Sequence, residues 1–301
     1  MKKLIYTTLF CILCISASAQ SLSEARTLMT TNRTQGINII QQLAQEGNPD
    51  AMWELGLMYE NGNEVINVDT QKAFELYKKS ADAGNAIGYY LVAHCYQHGI
   101  YVEESHEKSD AFYKKSLEML TEQAQQGDDI YVLNFIGSAY YWGDGTQPDR
   151  VKGAEYYMKA AQLGSPECQY KIGLCYETGE GLEQDAAKSV EWYAKSAAQN
   201  FPAAVEKINQ IYQGNWLIHA ETPMGDMDLP YQIILNEENK LCFQIEGGSI
   251  LPLPRLSTDG KLRFDIDMMG MYIDIEMHLT DTEHVSGFAM NQYPFTARKV
   301  K

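Results

Sequence analysis

The sequence predicts a multidomain chain, α then β: a right-handed superhelix of stacked α-helix pairs (a solenoid) over residues 20–213, followed by a small antiparallel β-barrel-like or sandwich domain over residues 214–301. Two observations support this fold class. Nearly the same phrase begins at Lys152 and again at Lys188, 36 residues later, and recurrence at such a period indicates stacked repeats. After Trp216 the helical period gives way to short alternating apolar runs, which are typical of β-strands.

The N-terminal segment MKKLIYTTLFCILCISASAQ has two lysines, an apolar stretch and a small-x-small site at Ala17–Ala19. This pattern predicts a secretory signal peptide over residues 1–19, cleaved before Gln20, and therefore a periplasmic or secreted protein. Lipid anchoring is disfavoured, because Leu13 precedes Cys14 where a lipoprotein has a small residue. Removal of the signal peptide would leave four cysteines, which we expect to be buried free thiols acting as small hydrophobes: Cys95, Cys168, Cys175 and Cys242.

The composition is that of a globular protein, with 45% hydrophobic and 21% charged residues. A net charge of −16 repels phosphate backbones and anionic lipid, which excludes nucleic acid and acidic membranes as favoured partners. Beyond the signal peptide, no stretch approaches the roughly 18 apolar residues of a membrane span. We therefore expect neither nucleic-acid binding nor membrane insertion.

Each predicted repeat has a first helix with an apolar–small–tyrosine phrase and a second helix introduced by a capping side chain. The first phrases are LGLMY (55–59), VAHCY (92–96), IGSAY (136–140) and IGLCY (172–176). The caps, whose side chains can accept from free N–H groups of the first turn, are Asp69, Ser105, Asp149 and Asp185. Degenerate units are expected at both ends, over 32–48 with Asn32 as cap and over 208–212.

Small residues recur at two kinds of position. A mid-helix glycine costs up to ~1 kcal/mol relative to alanine, so we expect close helix approach at Gly56, Ala93, Gly137 and Gly173. We expect left-handed glycines that end the second helices at Gly84, Gly127 and Gly164. The phrases GDG (143–145) and GEG (179–181) predict the turns within repeats, and Tyr101 stands where the second glycine is missing.

These residues resemble the Sel-one-like repeat family, relatives of the tetratricopeptide repeats, over roughly residues 32–212. The resemblance implies an adaptor or scaffold protein without catalysis of its own. Some secreted members carry a disulfide in every repeat, and this chain lacks such regular cysteine pairs. Catalytic motifs such as Gly-x-Ser-x-Gly or a phosphate loop are also absent from the sequence, and no cofactor is predicted.

At about 100° per residue, one side of the first helices lies opposite the small residues. By analogy with related solenoids this stripe would line a concave groove for a protein or peptide partner, and a partner of basic or aromatic character would suit it. For Trp53, Tyr90 and Tyr170 the family pattern also favours a packing role. The groove candidates are Trp53, Leu57, Tyr90, His94, Gln97, Asn134, Ser138, Tyr141, Trp142, Tyr170, Leu174 and Glu177.

The sequence HCYQH places His94 and His98 one turn apart, a spacing that can hold a transition metal. A zinc protease would have a glutamate where Cys95 stands. We therefore predict ordinary groove histidines and no metal site.

The predicted β domain contains seven alternating runs: WLIHA, YQIIL, LCFQIEG, KLRFDIDM, MYIDIEMHL, HVSGFAM and PFTARKV. A two-residue turn at 269–270 would pair the fourth and fifth runs so that apolar residues face one another, with Asp265 opposite Asp274. That carboxylate cluster could hold calcium, but a solvated outer face beside Arg263 is the favoured interpretation.

Gly214-x-Trp216 and Arg298 resemble the signature of lipocalin-like barrels, in which the arginine packs across the tryptophan. The predicted interior residues are favoured as core over a lipid pocket: Trp216, Ile218, Phe243, Phe264, Ile275 and Met277. The leading hypothesis is an exported, non-enzymatic scaffold that binds a protein partner. The alternative is a carrier of a small apolar ligand in the β domain, and the sequence does not fix the oligomeric state.

Overall fold

The computed structural model describes residues 22–29, 31–222, 225–237, 240–245, 250–253, 261–268, 271–289 and 293–300. The predicted signal peptide, residues 1–19, lies outside these ranges. The backbone packs as two compact units, one of residues up to Asp128 with Ser138–Pro148, and one of Asp129–Gly137 with Asp149 onward. No helix in the described ranges is both long and apolar enough to cross a membrane.

Paired helices fill the first two thirds of the chain, as the repeat predicts, and form a solenoid. The first helices are α3 (Pro49–Asn61), α5 (Ala86–His98), α7 (Ile130–Trp142), α9 (Pro166–Thr178) and α11 (Pro202–Tyr212). The second helices are α2 (Arg33–Gln45), α4 (Thr70–Asp82), α6 (His106–Ala124), α8 (Arg150–Gln162) and α10 (Ala186–Ala198). A further helix, α1 (22–29), was not predicted; it buries Ala25, and its Arg26 pairs with Glu54 of α3.

The predicted caps are confirmed. Asp69, Ser105, Asp149 and Asp185 each accept from the backbone N–H three residues later, and Asn32 does the same for α2. The capped lysine also packs over the tyrosine of the preceding first helix, with Nζ 5.2 Å from the Tyr59 ring centroid for Lys72 and 5.4 Å from the Tyr176 ring for Lys188. In these repeats the capped segment therefore provides both a helix start and a contact between paired helices.

The close approach expected at the mid-helix glycines is confirmed. A Cβ placed on Gly137 would lie 2.6 Å from Cδ1 of Tyr157, and one on Gly173 would lie 2.6 Å from Cδ1 of Tyr193. Gly56 meets the Tyr77 ring in the same way. The tyrosines of the second helices are buried, so the missing side chain makes room for an aromatic ring in the core.

The turn glycines follow the prediction with one exception. Gly84 and Gly164 are left-handed, with φ of 83° and 97°, but Gly127 is not. The α6–α7 connection spans residues 125–129, two residues more than the 83–85 connection, so the chain turns without a left-handed glycine there. Tyr101 keeps the left-handed conformation of the glycine it replaces, with φ of 61°.

The C-terminal region is one curled antiparallel sheet, a half-barrel. Its strands are β1 (Gly214–Thr222), β2 (Gly225–Leu235), β3 (Leu241–Ile245), β4 (Ile250–Pro252), β5 (Leu262–Met268), β6 (Met271–Leu279), β7 (His284–Ala289) and β8 (Tyr293–Val300). Their order is β4-β3-β2-β1-β8-β7-β6-β5, so the first and last strands pair at the centre. Seven of these strands were predicted; the three-residue β4 is too short to give an alternating pattern.

The predicted register of the β5–β6 hairpin is confirmed: Leu262 pairs with Met277, Phe264 with Ile275 and Asp265 with Asp274. The turn at 269–270 and the side chains of Phe264, Asp265 and Asp267 lie outside what the structure describes. On the outer face Arg263 Nε donates to Glu276 Oε2 at 2.8 Å, and Asp274 is exposed. The described part of this face is therefore solvated and ion-paired.

The inner face of the sheet shares a core with the last helices. Trp216, Tyr231 and Phe243 pack in one buried cluster with Ile208 and Tyr212 of α11. Met277 belongs to the same cluster, and Ile218 and Ile275 pack against it partly buried. The described interior candidates are thus core residues, and they join the half-barrel to α10 and α11.

The expected packing of Arg298 across Trp216 is wrong. Trp216 pairs with Lys299, whereas Arg298 pairs with Leu217, and directly paired residues share a face of the sheet. Arg298 is therefore exposed on the outer face. The cation beside Trp216 is Lys299, whose Nζ lies 5.6 Å from the ring centroid and donates to Ile211 O at 2.9 Å.

Candidate partner-binding face

The twelve groove candidates define what we call the first-helix face, and the structure places them at three levels of burial. Five are buried: Trp53, Tyr90, Asn134, Ser138 and Tyr141. Six are partly exposed: Leu57, His94, Gln97, Tyr170, Leu174 and Glu177. Trp142 is exposed, with 62% of its surface accessible.

The buried aromatic residues of this face serve helix packing. The Tyr90 ring lies 4.8 Å from the Tyr113 ring, and the partly exposed Tyr170 lies 5.4 Å from Tyr193. Both partners are second-helix tyrosines. The helical wheel places Tyr90 and Tyr141 opposite the small residues and so off the inter-helix core; that expectation is wrong, because each is only 8% exposed, and the packing role that the family pattern favours for Tyr90 is confirmed.

A row of acceptors on the first helices binds the tyrosine hydroxyls of the second helices. Tyr77 donates to Glu60 at 2.5 Å, Tyr113 to Gln97 at 2.6 Å and Tyr193 to Glu177 at 2.6 Å. Burial and then the adjacent carboxylate raise the pKa of Tyr193, which keeps its hydroxyl a donor. Gln97 and Glu177 thus contribute to helix pairing, and the recurrence of Glu or Gln directly after the first-helix tyrosine is the sequence signal for it.

A second set of contacts was missed because its partners are distant in sequence. Serines of the second helices donate to the first carbonyl of the preceding first helix, with Ser80 to Pro49 O at 2.7 Å and Ser196 to Pro166 O at 2.6 Å. Both serines are fully buried. The first carbonyls of these helices thus accept a side-chain hydrogen bond from the paired second helix.

Asn134 lies in a polar cluster with α9. Its Oδ1 accepts from Lys171 Nζ at 2.8 Å and from Cys168 Sγ at 3.3 Å, and Lys171 also pairs with Glu167 at 2.8 Å. All four cysteines in the described ranges are buried, as predicted, and none of them is disulfide-bonded. Burial raises the pKa of Cys168 to about 11 and that of Cys95 to about 12, so these thiols remain protonated.

The turn after α7 carries a buried carboxylate. Asp144, in the GDG phrase, accepts a hydrogen bond from Tyr90 and is 9% exposed. Burial raises its pKa above the ordinary range, against the opposing effects of the Tyr90 hydroxyl and of His98.

The two histidines of α5 lie close together, with ring centroids 4.5 Å apart. His94 Nδ1 is 4.0 Å from Glu60 Oε1. Burial lowers the pKa of His94, with Glu60 opposing and His98 reinforcing the effect. Within the described ranges, no group of three or more His, Cys, Asp or Glu side chains is arranged to hold a metal ion.

Trp142 differs from its neighbours on the first-helix face. It ends α7, its ring lies 5.0 Å from the buried Tyr141 ring, and most of its indole is accessible. Tryptophan is enriched at protein interfaces and among the residues that contribute most to their affinity.

Paired helices with repeated caps, glycine–tyrosine contacts and hydroxyl–carboxylate bonds define an α-solenoid repeat protein. The Sel1 repeat family matches residues 49–85, 86–119, 131–165 and 166–201, so the chain contains four Sel1 repeats. These four segments coincide with the helix pairs α3–α4, α5–α6, α7–α8 and α9–α10.

Chitin synthase regulatory factor 3 of Schizosaccharomyces pombe is 30% identical over 121 residues, a match that covers 38% of this chain and only 13% of that protein. Among solved structures, a Sel1 repeat protein from Oxalobacter formigenes is 23% identical, with a TM-score of 0.41, over 65% of this chain and 76% of that one. The immunity protein Pa5087 from Pseudomonas aeruginosa is 21% identical, with a TM-score of 0.40, over 65% and 71%.

Proposed function

We propose that the chain is an exported scaffold that binds a protein or peptide partner on the first-helix face. Sel1 repeat proteins mediate protein–protein interaction or regulation, and the family is generally non-catalytic. The observation that carries the proposal is the 62% exposed indole of Trp142. The other residues of the first-helix face on α7, namely Asn134, Ser138 and Tyr141, are buried. The related factor from S. pombe is named as a regulator, which agrees with a binding role.

The partner is proposed to be basic or aromatic. The chain carries 40 acidic and 24 basic residues, so long-range attraction favours cationic partners and their rate of association falls as salt screens it. Within each compact unit the face also has partly exposed apolar side chains, Leu57 in the first unit and Tyr170 and Leu174 in the second. In this proposal the face lines the concave side of the solenoid.

Site-specific photo-crosslinking tests this function. A photoreactive phenylalanine analogue replaces Trp142 in one sample of the full chain, and Leu163 in the control. Leu163 is also exposed, at 51%, but it lies at the end of α8 and off the first-helix face. We expect a discrete protein adduct from position 142 and none from 163; equal labelling at both positions contradicts the proposal.

Export is part of the proposal and rests on the segment before Gln20. N-terminal sequencing of protein recovered outside the cytoplasm is expected to begin at Gln20. A cytoplasmic product that retains Met1 would remove the extracytoplasmic partner from consideration.

A further inference from the structure

A pair of histidines, of which His94 belongs to the first-helix face, lies between two carboxylates. The rings of His94 and His98 are 4.5 Å apart, and Glu60 Oε1 lies 4.0 Å from His94 Nδ1. Asp144 interacts electrostatically with His98 from the turn after α7. All four residues belong to the same compact unit, and we call them the histidine–carboxylate cluster.

Hydrogen bonds fix both carboxylates in place. The second oxygen of Glu60 accepts from Tyr77 OH at 2.5 Å, and Asp144 accepts from Tyr90. Glu60 keeps 18% of its side chain accessible and His94 keeps 38%. A partner's side chain can therefore reach the cluster, while the backbone around it stays fixed by the helix pairs.

The formal charge of this cluster depends on the histidines. Counted formally with both carboxylates charged, the cluster carries −2 when the two imidazoles are neutral and zero when each of them carries a second proton. The other titratable groups facing it are Tyr77 from α4, Tyr90 and Cys95 from α5 and Tyr113 from α6, where burial and then Asp144 raise the pKa of Tyr113. Burial raises the pKa of the Tyr77 hydroxyl, and it raises that of Cys95 to about 12, so neither titrates in this range.

We propose that the histidine–carboxylate cluster is a proton-controlled contact for a cationic side chain of the partner, formed at neutral pH and released on acidification. The inference rests on the proposed binding face and adds to it the regulation of that face. At neutral pH, Glu60 attracts the cation while the two neutral imidazoles leave room for it. In acid, two imidazolium charges occupy the same space and repel it.

The direction of the pH dependence follows from His94. Burial lowers the pKa of this ring, and the neighbouring His98 lowers it further, while Glu60 opposes both. Full charging of the cluster therefore needs a pH below the ordinary histidine value of about 6.5. Binding of the cation is retained above that value and is lost as the pH falls through the depressed pKa.

The test uses the full chain and the short cationic peptide acetyl-Gly-Arg-Gly-amide, with binding followed by NMR at the His94 and His98 rings of the parent and, in the parent and in every variant, at the arginine side chain of the peptide. We expect saturable shifts of both rings at pH 7.5, and affinity about fivefold weaker at pH 5.5, the size expected of two screened surface charges. The variant His94→Gln with His98→Gln is expected to bind equally at both pH values. His106→Gln, which alters a 76% exposed histidine paired with Glu104, is the control and keeps the parent's pH dependence.

Three results would overturn the inference: no saturable shift of either ring at pH 7.5, a double variant that weakens in acid as the parent does, or a His106 variant that loses the pH dependence. Failure here is separable from failure of the binding face. If a partner adduct forms at position 142 but the affinity of the peptide does not change with pH, only the proton control is contradicted. If the peptide binds with the predicted pH dependence but no partner adduct forms at position 142, the proposed binding face is contradicted and the proton control is not.

Discussion

Local side-chain chemistry was the most predictable level of this molecule. The caps Asp69 and Asp185 act within three residues of their own position, so the sequence window contains both donor and acceptor. Burial on the first-helix face was less predictable. Tyr90 was expected off the inter-helix core, but Tyr113, 23 residues later, closes over it, and a helical wheel of one helix does not contain that neighbour.

The cation beside Trp216 shows how sensitive strand positions are to register. Side chains alternate between faces, so one residue separates the core side from solvent. Arg298 matched the barrel signature but pairs with Leu217, whereas Lys299 pairs with Trp216 and binds the C-terminal end of α11 through Ile211 O. The indole N–H of Trp216 donates to Tyr212 O at 2.8 Å and completes that helix end.

We predict that Lys299→Ala destabilises the chain by ~1–2 kcal/mol, because it removes a charge-assisted hydrogen bond and a cation–π contact. Arg298→Ala, one residue away and exposed, is expected to change stability by less than ~0.5 kcal/mol. Urea unfolding of both variants followed by Trp fluorescence measures the difference. A larger loss for Arg298→Ala than for Lys299→Ala would restore the barrel-like closure that the sequence suggested.

At the scale of elements, the repeat period determined most of what was predictable. Four copies of one phrase indicated the helix pairs and their small residues, and the structure adds the reason: each glycine faces a buried tyrosine ring of its own second helix. The serine bonds to the preceding helix were missed, although serine recurs at Ser80, Ser116 and Ser196. Ala160 takes the corresponding position in α8, so the serine is missing from one of the four repeats and was not recognised as part of the repeated phrase.

Gly173→Ala tests the glycine–tyrosine contact. An alanine Cβ would lie 2.6 Å from Tyr193 Cδ1, and the ring is fully buried and cannot move away freely. We expect a net loss of ~1–3 kcal/mol from overpacking, despite up to ~1 kcal/mol gained in helix propensity. In thermal or urea unfolding, the added loss should be smaller in a Tyr193→Leu background, which has room for the methyl group. Stabilisation by Gly173→Ala alone would contradict the close approach.

At the scale of the whole molecule, the sequence predicted an α part and a β part but not how the last helices and the sheet are joined. In the second compact unit, Ile208 and Tyr212 of α11 share one buried cluster with Trp216 and Phe243 of the sheet. The half-barrel therefore occupies the side of α11 where a further second helix would pack. These contacts join α11 to strands that are distant from it in sequence, and a repeat pattern, which relates residues about 36 positions apart, does not predict them. The domain boundary between residues 213 and 214 stays a prediction.

In the proposed function, partner binding depends on the exposed indole at the end of α7. The most direct measurement is the dissociation constant of the partner crosslinked at position 142, compared for the parent chain, Trp142→Ala and Leu163→Ala. We expect Trp142→Ala to weaken binding by ~2 kcal/mol or more, about 30-fold, as for an interface anchor, with an unchanged unfolding midpoint because the side chain is 62% exposed. Leu163→Ala should bind as the parent does. Equal affinity of Trp142→Ala and the parent would contradict the claim.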